Sequence, residues 1–241
     1  MTEVPDVWPE PVDGAPLTTR GAAELAFAVA VREVSDVARS LIPAGSVRDS
    51  YEGTLVADAR RLHGLAARAL ALAVAAERAD GTTWAGVAAA TGEEPERARA
   101  HWEPLVQRWD AAMEQAAVPR VDDDPDDVPA PVEATIAELD GWVVRHREPT
   151  DPDTGDRPLS DALGRMDPHH ELLHLAALRR RLATLHDGSS PPAQLLGLVE
   201  REALLEEHLA AAADPSDRAD HEQAAAKART VAAHLRTRTD P

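Results

Sequence analysis

Apolar residues recur at alternating steps of three and four along most of the chain, which is the spacing of one helical face. The first such run predicts a helix that starts near Thr18 or Thr19, either of which can cap it, and stops before Pro43. Phe27, Val31, Val34, Ala38 and Leu41 form its stripe. A second helix is predicted from about Ser46 to Ala79, ending at Asp80-Gly81. Its seam is narrow and alanine-rich: Leu55, Ala59, Leu62, Ala66, Ala69, Ala73 and Ala76, broadened by Leu65 and Leu72. Small residues let backbones approach closely, so this helix is expected to pack on two sides. A short helix follows at Trp84–Ala90 with Thr83 as its cap, then another from Pro95 to about Ala117. Pro104 is expected to kink or restart that helix.

Val132, Ile136, Leu139 and Val143 mark a middle helix of four turns. Asp167-Pro168 opens the next, with Leu175, Leu178, Leu182 and Leu185 as its stripe up to Asp187-Gly188. Pro192 starts a helix carrying Leu195, Leu198, Leu205 and Leu209, which Asp214-Pro215-Ser216 interrupts. The last helix carries Ala224, Ala228, Val231 and Leu235. The predicted fold is all-α: a helical bundle containing a helix-turn-helix, then a C-terminal hairpin or three-helix unit. The linear division is a disordered N-terminal tail at 1–17, a bundle at 18–118, an acidic linker at 119–131, a middle helix and loop at 132–158, and the C-terminal unit at 159–241.

Composition supports helices. The 241 residues include 48 Ala, two Ile and no Asn, with only five Trp, Tyr51 and Phe27 as aromatics. Ala, Leu, Arg and Glu lose little rotamer freedom in a helix, whereas a sandwich or barrel needs more β-branched and aromatic residues. Arginine outnumbers lysine 24 to one, a bias typical of a GC-rich actinobacterial genome. The chain has no Cys, hence no disulfide, thiolate nucleophile or cysteine-ligated metal. No stretch approaches 18 apolar residues, so no membrane partner is expected. The acidic, proline-rich start MTEVPDVWPEPVDG is unlike a secretory signal, and the expected location is the cytoplasm.

The net charge of −18 is uneven. Residues 121–158 hold 12 acids and 3 bases, net −9, in tracts such as VPRVDDDPDDVPAP that cannot bury apolar area. The helical regions on either side carry only −6 and −3. Overall charge therefore does not exclude nucleic acid, and the local pattern has to decide.

The most specific pattern is GTTWAGVAAATGEEPERARAHW, Gly81–Trp102. It predicts a capped short helix, a glycine corner at Gly92 and a second capped helix, with Val87, Ala88 and Ala98 packed between them. Trp84 and Trp102 are expected to fix the pair to the long preceding helix. Where such a unit binds DNA, the second helix enters the major groove and its first residues meet base edges. The candidates for DNA contact are Arg97, Arg99 and His101 on that helix, with Arg60, Arg61 and Arg68 for the backbone.

The segment resembles a set of largely uncharacterised actinobacterial helix-turn-helix proteins. The matching residues are Thr83, Trp84, Val87, Ala90, Gly92, Ala98, Trp102 and Trp109, and Leu139–Pro149 resembles a later L-D-x-W-V-x-R-H-x-E-P segment of that set. The resemblance implies a helix-turn-helix and brings no biochemical role. Thr91 and Glu93 flank the glycine where the set has Leu and Val, and Glu94, Pro95 and Glu96 stand where recognition helices offer Ser, Arg, Gln or Lys. Carboxylates there suit the helix dipole and repel phosphates. Two uses stay open: DNA binding, or a packing and protein-binding role.

His170-Glu171-Leu172-Leu173-His174 matches H-E-x-x-H, in which histidines at i and i+4 hold zinc and the Glu activates water. Glu200 or Glu202 is the candidate third ligand. Extended zinc-peptidase signatures are missing, and the match starts in the first turn of its helix. The reading is therefore a non-enzymatic regulatory protein without a cofactor. Its partners are DNA or a protein, and its C-terminal helices serve self-association or partner binding. A zinc-dependent hydrolase is the remaining alternative.

Overall fold

The structure, a computed structural model, describes residues 9–42, 52–116, 132–185 and 192–239. Among these there are eight α-helices and no strand: α1 (Thr19–Leu41), α2 (Thr54–Ala79), α3 (Trp84–Thr91), α4 (Pro95–Ala116), α5 (Val132–His146), α6 (Pro168–Leu185), α7 (Pro192–Ala212) and α8 (Pro215–Thr239). The fold is all-α, as the periodicity predicts. The predicted acidic linker at 119–131, the first eight residues and the predicted start of the second helix at Ser46 lie outside the described residues.

The chain forms two compact units that do not follow its linear order. One comprises Leu17–Met113 and Asp123–Gly164; the other comprises Met1–Pro16, Glu114–Asp122 and Arg165–Pro241. The middle helix α5 thus belongs with α1–α4. Residues 9–16, expected to be an unstructured tail, belong with the C-terminal helices, and Ala15 is buried there.

In the first unit, α1 and α2 pack antiparallel. Arg20 pairs with Asp80 at 2.5 Å near one end of the hairpin, and Glu33 with Arg68 at 3.4 Å further along. The buried face of α1 is Gly21, Ala23, Leu25 and Ala30, not the predicted stripe. Phe27 and Val31 from that stripe are 36% and 41% exposed. The reason is side-chain size. Ala23 packs with Ala75 and Ala76 of α2 and with Trp109 of α4, and this close approach turns the larger apolar residues sideways. Leu25 joins Ile136, Leu139 and Leu163 in a second cluster, which seats α5 on α1. The α2 seam is buried at Ala69 and Ala76, while Leu55 at its start is 73% exposed.

The start of α1 is fixed to the Gly164 carbonyl. Thr18 donates to that oxygen from its backbone N–H (2.9 Å) and its hydroxyl (3.2 Å), and its Oγ1 accepts from the N–H of Gly21 (3.0 Å). One threonine therefore caps the helix and holds a segment 146 residues away. A Cβ at Gly21 would collide with the Gly164 carbonyl, so only glycine fits.

In the second unit, α7 and α8 form an antiparallel hairpin. Glu200 pairs with Arg236 at 2.6 Å, Glu206 with His221 at 2.6 Å, and Glu207 with Arg229, so rising numbers on one helix meet falling numbers on the other. Their seam is Val199 and Ala203 against Ala228, Ala232 and Leu235. Arg218 closes the turn by donating to the carbonyls of Ala210 (3.2 Å) and Ala213 (3.1 Å), acceptors left open at the end of α7. Leu175 and Leu182 of α6 are buried, as their stripe predicts.

The Gly21 contact yields a direct expectation. Gly21→Ala should destabilise the protein by about 1–3 kcal/mol, the usual cost of overpacking, although alanine is the better helix former. Chemical denaturation would read this as a lower midpoint with an unchanged slope. A midpoint at or above that of the parent would refute the packing argument.

Candidate functional site

The α3–α4 corner is assembled by local signals. Thr83 caps α3, its Oγ1 accepting from the N–H of Gly86 at 3.2 Å. Gly92 ends the helix with φ 71°, and the N–H of Glu93 reaches back to the Ala88 carbonyl at 3.0 Å. This is the glycine stop in which the sixth residue bonds to the first. Pro95 then opens α4, which runs without a break through Pro104, where a restart is among the sequence expectations. Val74 of α2 packs with Val87, Ala88, Ala98 and Trp102, so the corner is seated on the long helix as the pattern predicts. Trp84 is fixed by the Arg78 guanidinium, 4.5 Å from its ring centre.

The corner's carboxylates divide into two kinds. Glu93 turns inward: its carboxylate accepts from Trp102 Nε1 (3.1 Å) and Thr91 Oγ1 (3.2 Å) and lies 3.3 Å from His101 Nδ1. The hydrogen bond from His101 holds the Glu93 carboxyl below its ordinary value; partial burial opposes this, and the bonds from Trp102 and Thr91 assist. Glu93 thus fills the position after the glycine, where a hydrophobic contact is common, by hydrogen bonding rather than by apolar contact. His101 stacks on Trp102 with ring centres 4.2 Å apart, which completes the clasp. By contrast, Glu94 and Glu96 are exposed at the start of α4.

The predicted DNA-contact residues are all exposed and differently engaged. Arg99 is forked onto Glu103 of its own helix, at 3.1–3.2 Å. His101 belongs to the Glu93 clasp, and Arg68 pairs with Glu33. Arg97 on α4, and Arg60 and Arg61 on α2, make no ion pair with a described residue.

The H-E-x-x-H residues do not converge. Asp167 is the cap of α6: its Oδ1 accepts from the N–H groups of His169 (3.0 Å) and His170 (3.2 Å), and its other oxygen engages His170 Nδ1. Burial acts to raise the Asp167 carboxyl, and the bonds from His170 outweigh it, so the group lies below its ordinary value. Glu171, which would have to activate water, is only 2% exposed and forms a two-pronged pair with Arg201 of α7, at 2.7 and 3.0 Å. Glu202 is taken by Arg179 at 2.5 Å, Glu200 by Arg236, and His174 is half-buried. Among the described residues no three His, Asp or Glu side chains gather to hold a metal.

The Leu139–Pro149 segment is also structural. Asp140, 5% exposed, accepts from the N–H groups of Leu159 (2.6 Å) and Ser160 (3.2 Å) and from the Ser160 hydroxyl (2.5 Å). Arg147 gathers the following loop by donating to Asp153, Thr154 and the Gly155 carbonyl at 2.8–3.2 Å. The chain was compared with models of protein families, with curated proteins and with solved structures, and none matches.

Two outcomes test these assignments. Arg201→Ala strands a buried carboxylate and should cost about 3–5 kcal/mol, whereas Glu171→Leu combined with Arg201→Met should recover most of that loss. Equal destabilisation in both would mean that the pair is not the source. Asp167→Ala should cost about 1 kcal/mol at neutral pH. The folded-state carboxyl lies below its unfolded value, so its contribution is complete above the ordinary carboxylate range and fades as pH falls through the lowered value. Denaturation of the two proteins at several pH values should converge on the acid side.

Proposed function

We propose that this chain is a non-enzymatic regulatory protein that acts through its helix-turn-helix, with a protein as the partner of that unit. The observation that carries this reading is the charge on the first two turns of α4. Glu94 and Glu96 are exposed there, Arg99 is neutralised by Glu103, and Arg97 makes no ion pair with a described residue. A phosphate backbone needs several available cations, and this surface offers a mixed, mildly acidic one. The buried, Arg201-paired Glu171 and the engagement of His170 by Asp167 favour a structural role for the H-E-x-x-H segment. Exposed Leu173, Leu204 and Val231 on α6–α8 supply apolar positions for association through the C-terminal helices.

A second reading, a DNA-binding regulator, is favoured by one observation: Arg97, Arg60 and Arg61 are exposed and make no ion pair with a described residue. Fluorescence anisotropy on labelled genomic duplexes separates the two. Binding to protein alone predicts a flat titration at low salt. DNA binding predicts saturable, salt-steep association, and Arg97→Ala should then reduce the salt slope by about one.

A further inference from the structure

The first unit carries a groove that none of the assignments above uses. It lies between α1, α5 and the turn at 159–163, and its volume is about 370 Å³. Phe27 and Val31 form one wall, Trp142 and Val143 another, and Leu159 and Leu163 a third. Two of its lining residues, Leu139 and Leu163, belong to the buried cluster that also holds Leu25 and Ile136. Phe27 is the one phenylalanine in the chain, and it is directed to this half-open surface.

The walls are fixed in place. Trp142 packs near the His146 ring, 4.4 Å away between centres, and the Arg39 guanidinium, 5.7 Å from its ring centre. Arg32 ties α1 to α5 by pairing with Glu138 at 2.7 Å, and Asp140 holds the start of the 159–163 turn. A site with walls held in this way binds without a large ordering cost.

Size and charge select the occupant. The volume falls within the range of about 300–1,000 Å³ typical of small-molecule sites. Eleven residues line the groove, against roughly 20–30 on each side of a stable protein interface, so a second copy or a protein partner would find too little surface. The two charged lining residues are already neutralised, Arg32 by Glu138 and Glu24 by Arg20 at 2.7 Å. Among the described residues, none of the buried polar atoms left without a hydrogen bond lies on the groove. An ionic or strongly polar ligand would lose hydration there without compensation.

We propose that this groove binds an uncharged, largely apolar small molecule. The inference is independent of what the helix-turn-helix binds. The test is a fluorescence titration of the full-length protein with Nile red, a neutral apolar dye of suitable size. The expected result is saturable binding at one site per chain. Val31→Glu on α1 and Ala162→Glu on the turn should each weaken it at least tenfold, because both place a charge in the groove from exposed positions. Leu70→Glu, at an exposed site on α2 away from the groove, should leave it unchanged. Circular dichroism melting identifies any variant that fails to fold, and the second wall variant then carries the comparison. Unsaturable binding, or equal affinity in the groove variants and Leu70→Glu, would overturn the proposal. So would a dimer in sedimentation that Val31→Glu or Ala162→Glu dissociates, since that would make a second copy the occupant.

Discussion

Ala23 of α1 meets Ala75 and Ala76 of α2, and most of the first unit depends on how closely those backbones come together. Alanine side chains bury little area, so a seam made from them stabilises chiefly when the helices are near enough for dense contact. A separate close approach, of α1 to the Gly164 carbonyl, requires the glycine at Gly21. The α1–α2 approach explains why Phe27 and Val31 are displaced to the helix flank. The α7–α8 hairpin obeys the same constraint with Ala203, Ala228 and Ala232.

With modest burial at the seams, polar clasps supply much of the specificity. Thr18 on Gly164, Asp140 on Leu159 and Ser160, Arg218 on the end of α7, and Arg201 on Glu171 each join segments that apolar contact alone would leave free to slide. A charge left alone in such a place costs far more than the pair contributes. These are therefore the positions where a single substitution should be felt.

What was legible in the sequence was local. Thr83, Gly92 and Pro95 announce the corner within a dozen residues, because capping and a left-handed stop depend on immediate neighbours. The leucine stripe of α6 was legible too, since large apolar residues at helical spacing have one place to go. The α1 stripe misled because pattern reading favours large apolar residues, whereas this helix buries its small ones. The inward turn of Glu93 was hidden for another reason. Its partners lie eight and nine residues on, and nothing in the spacing distinguishes a clasped carboxylate from a solvated one. Asp140 and Glu171 reach 19 and 30 residues along the chain for their partners, a distance that periodicity does not encode. The groove was invisible because it is shaped by three segments whose meeting only the tertiary structure defines.

Arg201 also donates to the Asp13 carbonyl, 188 residues earlier in the chain, at 2.7 Å. The unit that contains both residues is thus discontinuous, with all of Leu17–Met113 interposed between its parts. During synthesis its N-terminal strip emerges first, and its partners Arg165, Met166 and Arg201 follow only after the interposed unit. That unit has its own clusters and is complete before Arg201 is made. Folding is therefore expected to proceed from the inside of the sequence outward. The 9–16 strip closes last, and its late, long-range closure makes it a slow step in an otherwise helical and locally organised chain.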